Sequence, residues 1–479
     1  MREEELTRLV RRIQKHQAES QTVELKAAEK GFPRRIYDTL SSFSNQNEGG
    51  TIIFGVSEKD GCAVNGVYDL EDAQKKAMEA CDQMEPKVRV VFTSAVIDGR
   101  PVLSAEIPPV EYYDRPVFYK GAGRLKGSYV RVGDADEPMS EYEIYTFEAF
   151  RRRVHDELRL VPEARMDLFD QERLAEYLRS VKRERKNLAA LSDSEILELM
   201  GVTVNGVPTL AAVLSFSRYP QACFPQLCIT AVSLPGTEMG DTDMDGARFL
   251  DNMRITGAIP EMLDDAMDFV RRNMRTKTIV SADGKRMDKD EYPVIAVREA
   301  ILNALIHRDY SMLTESTPVS IEMYRDRLTI ISKGGLFGGG SVELLGTGRP
   351  ETRNPVLANI MELLRIFENR YSGIPTIRKE LQKANLPEPV FDISRGTFRI
   401  TFYNSADIPQ DEIDKSDIHK AVIRYCSVPR TRAELTSFTG KSRYYTMSHI
   451  VQPLVEEGLI LLTMPDVPKS PSQKYIAAR

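Results

Sequence analysis

Three polar side chains in an otherwise apolar segment have the types and spacing to do chemistry: Glu299, Asn303 and His307 within REAILNALIHRDY, residues 298–310. They stand at i, i+4 and i+8, so on a helix all three share one face. Val297, Ala300, Ile301, Leu302, Ala304, Leu305 and Ile306 make that helix apolar on most sides, which predicts its burial. A carboxylate on a buried helix needs a partner or a ligand. The helix alone therefore allows two readings, a satisfied core carboxylate or an acid held beside a ligand.

The rest of the chain must position that face. At 479 residues it is too long for one ordinary core, so two to four domains are expected. A hydrophobic content of 42% with 28% charged residues describes a globular chain rather than a disordered one. No apolar run approaches the roughly 18 residues that cross a bilayer. The opening MREEELTRLVRRIQK reads as a charged amphipathic helix, so a cytoplasmic location with no membrane partner is expected. The cysteines, Cys62, Cys81, Cys223, Cys228 and Cys426, are odd in number and scattered, which suggests neither a disulfide framework nor a zinc site. With only 5 histidines a His-rich metal cluster is not expected, which leaves carboxylate ligation open. The net charge of −6 argues against a chain coated for nucleic acid, but a local basic face is compatible with it.

Periodicity predicts a helix over residues 1–18, a strand over 19–29, a helix over 33–44, a turn at NQNEGG (45–50) and a strand over 51–58. A helix over 70–81 and strands over 88–96, 101–107 and 127–131 complete an α/β unit. Residues 140–192 read as helical and heavily charged. Apolar strands are predicted over 210–216 and 227–232, DDAMDFVRRNM (264–274) leads toward the opening helix, and a hairpin is predicted over 319–332 with Arg325-Asp326 at its tip. After a polar linker, residues 416–479 carry nine Lys and Arg against five Asp and Glu. The fold class expected is α/β (α+β), in several domains.

The first unit sets Glu19 and Glu24-Leu25-Lys26 before SFSNQNEGG and IIFGVSEKDGCAVNGV, and ends on RPVFYKGAGRLKGSYVRVGDADEPMS. Together these resemble the Schlafen-type AlbA_2 domain, a nucleic-acid-binding module with an E-x-K strand, a GG turn and a Y-h-R-h-G ending. The resemblance implies an AlbA_2-like domain over residues 1–140. Some members of that family cleave RNA with a divalent metal, and Glu19, Glu24 and Lys26 match positions of that machinery. The third acid of those nucleases falls where this chain has Ser57-Glu58. A purely structural ion pair between Glu24 and Lys26 is the competing reading.

REAILNALIHRDY, Ser332-Lys333-Gly334-Gly335, Arg353-Asn354-Pro355 and SGIPTIRKEL (372–381) resemble, in that order, the ATPase-like domain named after the RecG C-terminus, related to the GHKL nucleotide-binding fold. The resemblance implies a helical connector and GHKL-like α/β sandwich over residues 141–405. It would place Glu299 as the acid that activates water and Asn303 as the Mg²⁺ ligand. Gly334, Gly335, Arg353, Asn354 and Gly373 would sit around ATP. Lys333-Gly334-Gly335 replaces the family's Asn-Pro-Gly, and Arg370-Tyr371-Ser372-Gly373 shortens its Glu-x-Gly-x-Gly, which describes a degenerate pocket. Helicase chemistry is excluded on different grounds: a P-loop needs G-x-x-x-x-G-K-[ST], and the residue five before Gly440-Lys441-Ser442 is Leu435.

DIHKAVIRYCS, TRAELTSFTG and SRYYTMSHIVQPLVEEG read as three helices, the last with Met447, Ile450, Val451 and Leu454 as an apolar stripe. Two short strands around a Pro/Ser/Lys loop follow, and the whole of residues 416–479 reads as a winged helix. Arg443, Tyr444, Thr446 and Gln452 are the polar face offered to DNA, with Lys469 and Lys474 on the wing. The same arrangement also serves to dock proteins. The sequence as a whole reads as a DNA-binding transcriptional regulator, expected as a homodimer and modulated by nucleotide in the degenerate GHKL-like domain. The alternatives are a metal-dependent nuclease or a weak ATPase.

Overall fold

The computed structural model describes residues 1–16, 19–280, 286–339, 342, 345–346, 351–367, 372–394, 396–404, 422–423, 425–426, 429–439, 446–456, 458–464 and 473–477. The fold is mixed α/β and multidomain, the class expected. The chain divides into two compact units, Met1–Arg151 with Pro409–Arg479, and Arg152–Ile408. No helix among the described residues is long and apolar enough to cross a membrane.

The first unit opens with α1 (Glu3–His16), whose Leu6, Val10 and Ile13 are fully buried at helical spacing. Strand β1 (Val23–Lys26) pairs in parallel with β2 (Gly50–Phe54) across helix α2 (Tyr37–Asn45). Helix α3 (Leu70–Asp82) and strands β3 (Val91–Ile97) and β4 (Arg100–Ile107) follow, giving the sheet order β1-β2-β4-β3. Strand alternation sorts the two faces. Val23, Leu25 and Ile53 join α1 in one core, while Ile52 and Phe54 pack with Leu40 and Phe43 of α2 in another. Glu24 therefore leaves its strand opposite to Val23 and Leu25.

The predicted turn after α2 has a steric reason. Gly49 has φ +67, and a side chain on Gly50 would enter the Phe43 ring. Asn45 is buried and brackets the neighbouring strand, accepting from Val117 N at 2.7 Å and donating to Val117 O at 2.9 Å and Tyr129 O at 3.1 Å. That Tyr129 begins β5 (Tyr129–Val132), which pairs antiparallel with β6 (Ala135–Pro138).

In the second unit, α4 (Gln171–Glu184) precedes α5 (Leu210–Phe216). The sequence reading made the latter a strand. Its seven residues are all buried, so the run carries no periodicity, and Thr209 starts a helix by accepting from Ala212 N. Next come β7 (Ile229–Ser233), β8 (Asp251–Ile255), α6 (Ile259–Asn273), α7 (Val294–Ile306), β9 (Val319–Met323) and β10 (Arg327–Lys333). Helices α8 (Pro355–Leu363) and α9 (Gly373–Lys383) and strands β11 (Val390–Ser394) and β12 (Thr397–Tyr403) close the unit. The six-stranded sheet runs β8-β7-β9-β10-β12-β11, with β7 and β9 parallel and the other neighbours antiparallel. Ile229, Ile321, Ile330, Ile400 and Phe402 share one core with the buried residues of α6, α7, α8 and α9. Helix α7 lies within that core, as its apolar sequence requires.

The C-terminal segment has β13 (Arg430–Thr431), α10 (Arg432–Thr439), a wide helical turn over Thr446–Val451, α11 (Gln452–Glu456), β14 (Ile460–Leu462) and β15 (Lys474–Ala477), with sheet order β13-β15-β14. Met447, Ile450, Val451 and Leu454 are buried with Leu435, Ile460 and Tyr475.

One buried acid in the second unit was not anticipated. Glu157 is fully buried, and its carboxylate accepts from Val356 N at 2.8 Å and Leu357 N at 2.6 Å at the start of α8. Burial pushes its pKa up to about 7, against the pull of those two N–H groups. A raised folded pKa means that the stabilisation is complete below the unfolded value and is lost as pH rises through about 7. Thermal or urea unfolding between pH 5 and pH 8 should show wild-type stability falling, with Glu157→Gln removing about 3 kcal/mol of that fall. Superimposable pH profiles for the two proteins would reject this role.

Candidate functional site

In the first unit, strand alternation brings Glu24 to the face on which β5 and β6 lie, and Arg131 of β5 reaches back to it. Arg131 Nη2 stands 2.9 Å from Glu24 Oε2 and 3.8 Å from Glu19 Oε2, and Nη1 stands 2.9 Å from Asp136 Oδ1. The Arg131 side chain is 1% exposed, and its guanidinium lies over the Phe43 ring at 5.1 Å. Glu24 Oε1 accepts from Lys26 Nζ at 2.5 Å, the ion pair that the sequence offered as its structural reading. Glu19 Oε1 accepts from Leu25 N at 2.6 Å, and Asp136 accepts from Thr39 Oγ1 at 2.7 Å and Ser42 Oγ at 2.5 Å.

The electrostatics follow from this enclosure. Burial works against the Arg131 charge, but Asp136 and Glu24 outweigh it and raise its pKa. Glu19 is pushed up to about 8, first by burial and then by the neighbouring Glu24 carboxylate, while Leu25 N–H and Arg131 pull the other way. Two of the expected acids thus share one guanidinium. Among the described residues no group of three or more His, Cys, Asp and Glu is arranged to hold a metal ion.

In the second unit, α7 places Glu299 and Asn303 one turn apart, and Asn303 Nδ2 donates to Glu299 Oε1 at 3.1 Å. The first residue of α9, Gly373, lies against both. A Cβ there would collide with Glu299 Oε1 and come within 3.0 Å of Asn303 Nδ2. Three residues that the sequence assigned to one pocket are therefore neighbours, and with no side chain at Gly373 the helix start comes close to a carboxylate. An Asn side chain supplies the oxygen type that Mg²⁺ takes, and a helix start is the backbone feature that phosphates use.

The other expected pocket residues are committed elsewhere. Arg353 is buried and forms an ion pair with Asp309 Oδ2 at 2.9 Å, while Asp309 Oδ1 accepts from Ser311 N at 2.8 Å. Asn354 is fully buried, and its amide donates to Ile306 O and Arg308 O, both at 2.8 Å. It caps the C-terminal end of α7, whose last carbonyls have no helical partner. These contacts give Arg353 and Asn354 structural partners within the unit. Gly334, with φ +111, packs where a Cβ would come 2.8 Å from Asp309 N, and Gly335 O receives Arg353 Nη2 at 3.4 Å. His307 ends α7, its ring edge-on to Phe367 at 5.9 Å, and burial followed by the Arg353 charge holds it down at about 4. It is neutral at physiological pH.

Of the C-terminal candidates, Arg443, Tyr444 and Lys469 lie outside the described residues. Lys474 is exposed on β15, and Gln452 is partly exposed at the start of α11. Thr446 is fully buried, with Oγ1 2.5 Å from Thr439 Oγ1. The apolar stripe Met447, Ile450, Val451 and Leu454 is buried as its spacing predicts.

Sequence reasoning passed over Arg131, Asp136 and Asp309 as partners. The only signal for the first was its place in the Y-h-R-h-G ending, and nothing in spacing ties residue 131 to residue 24. For the second unit, Asn354→Ala would leave two buried carbonyls without their donor, so it should lower the unfolding free energy by about 2–3 kcal/mol at unchanged denaturant dependence. A loss under about 0.5 kcal/mol, the size of a neutral surface change, would show that the amide is not the cap.

Two family models match the chain. The model described as "Schlafen, AlbA_2" covers residues 19–140, and that described as "Putative ATP-dependent DNA helicase recG C-terminal" covers residues 316–402. The first includes Glu19, Glu24, Lys26, Arg131 and Asp136; the second includes Arg353, Asn354 and Gly373 but stops short of Glu299 and Asn303. No curated protein matches the chain. The DIP2311 protein from Corynebacterium diphtheriae is a similar solved structure, 18% identical, with 96% of this chain and 92% of that chain covered and a TM-score of 0.41. Another is the N-terminal domain of a RecG-related protein from Nitrosomonas europaea, 22% identical over 28% of this chain and 92% of that chain, with a TM-score of 0.23. At these scores neither carries a fold argument. The chain is similar to the Schlafen AlbA_2 family over its first domain and to the RecG C-terminal ATPase-like family over part of its second unit.

Proposed function

We propose that this chain is a nucleic-acid-binding regulator that captures DNA through its C-terminal segment. The observation that carries this reading is the presence of an AlbA_2 match and a RecG C-terminal match on one chain, both pointing to nucleic-acid-related work. The C-terminal segment supports the finer part. Helix α10, the turn and helix over 446–456 and the β14–β15 pair follow one another in the order of a winged helix, in a stretch rich in Lys and Arg. Binding would begin with phosphate capture by Lys474 on β15 together with Arg443 and Lys469, the basic residues that the sequence assigns to DNA, and would proceed as a homodimer on a two-fold site.

A nucleotide reading of the second unit rests on the meeting of Glu299, Asn303 and Gly373. If ATP binds, Asn303 would hold its Mg²⁺, which offsets phosphate charge, and the α9 start at Gly373 would face the phosphates. Glu299 is the acid placed to hold a proton there. Such a pocket would act as a switch on DNA binding.

The test is fluorescence anisotropy or gel shift with duplex DNA across salt. Affinity should fall by orders of magnitude, roughly 10³-fold or more, between 50 and 200 mM salt if six or more phosphates are contacted. Arg443→Ala with Lys474→Ala should reduce the log–log salt slope by about 2, one unit per lost phosphate contact. Absence of binding at low salt, or an unchanged slope in the double variant, would defeat the proposal. Nucleotide should co-purify with the wild-type chain and be lost in Gly373→Val.

A further inference from the structure

The AlbA_2 resemblance implies a divalent cation between Glu19 and Glu24, and in this chain a side chain is already there. Five of the six oxygens of three acids are met by a donor at hydrogen-bond distance, and the sixth faces the same guanidinium. Glu24 takes Lys26 Nζ on Oε1 and Arg131 Nη2 on Oε2. Glu19 takes Leu25 N on Oε1, with Arg131 Nη2 3.8 Å from Oε2. Asp136 takes Arg131 Nη1 and Ser42 Oγ on Oδ1 and Thr39 Oγ1 on Oδ2.

The residues present do not fit a metal. Mg²⁺ demands oxygens at about 2.0–2.1 Å in near-octahedral geometry. Here it would have to displace a buried guanidinium, or sit within a few ångströms of a cation that no accessible pH discharges. Arg131 cannot swing away to solvent cheaply either, because it is enclosed, lies over the Phe43 ring and also reaches Val23 O at 3.4 Å.

We infer that Arg131 is the resident cation of this cluster, a fixed guanidinium that tethers β5 to β1 and to β6 and excludes divalent metal from the Glu19–Glu24 pair. The N-terminal domain then needs no metal ion to fold. Removing the guanidinium would turn Glu19, Glu24 and Asp136 into a cation site.

The experiment titrates the full chain with Mn²⁺, following free Mn²⁺ by electron paramagnetic resonance at pH 8, alongside thermal melts in EDTA and in Mn²⁺. Wild type is expected to show no site that Glu24→Gln removes, and equal melting temperatures in the two buffers. Arg131→Met is expected to bind Mn²⁺ at least about tenfold more tightly than wild type, and to lose that gain when combined with Glu24→Gln. Arg131→Lys keeps the positive charge and should behave as wild type. A stoichiometric wild-type Mn²⁺ site abolished by Glu24→Gln would overturn the inference, and so would a folded Arg131→Met that binds no better than wild type. If Arg131→Met does not fold, the wild-type and Glu24→Gln titrations decide the question by themselves.

Discussion

A charge taken out of water must find its opposite, or a set of donors, inside the protein, and this requirement organises both units. In the first, the guanidinium of Arg131 meets Glu24 and Asp136 at 2.9 Å each, and those contacts join β1, β5 and β6 around α2. Removing one member would strand the others, which costs more than the pair itself contributes. The residues that look most like a catalytic set are thereby the residues that hold the domain together.

The second unit solves the same problem with different groups. Arg353 meets Asp309, the Asn354 amide closes the end of α7, and Glu157 closes the start of α8 with two backbone N–H groups. What remains beside α7 is small: Glu299, Asn303 and the bare backbone of Gly373. Around these three, the neighbouring Arg353 and Asn354 are engaged in contacts that hold the fold.

The sequence revealed most where one element decides its own pattern. Leu6, Val10 and Ile13 announced a one-sided helix, and Ile52, Ile53 and Phe54 alternated between two cores as a strand must. Gly49 and Gly50 signalled a turn, and its reason proved to be a positive φ and a neighbouring aromatic ring. Residues 210–216 failed because a run buried on every side has no period to read, and a capping Thr209 settles it as a helix. The candidate site was legible by position but not by partner. Glu24 and Arg131 are separated by more than a hundred residues, so a metal ligand and a buried ion-pair member look identical in the sequence. The burial of Thr446 against Thr439 was not legible either, since nothing in the spacing of the third helix pairs the two hydroxyls.

The central claim is that the acids of the AlbA_2-like domain are satisfied by an internal cation and serve structure. The most direct measurement incubates the full chain with labelled single-stranded RNA and DNA in Mg²⁺ or Mn²⁺ and follows cleavage over time. The account predicts no cleavage beyond the buffer control for wild type. Cleavage by wild type that disappears in Glu24→Gln would contradict it.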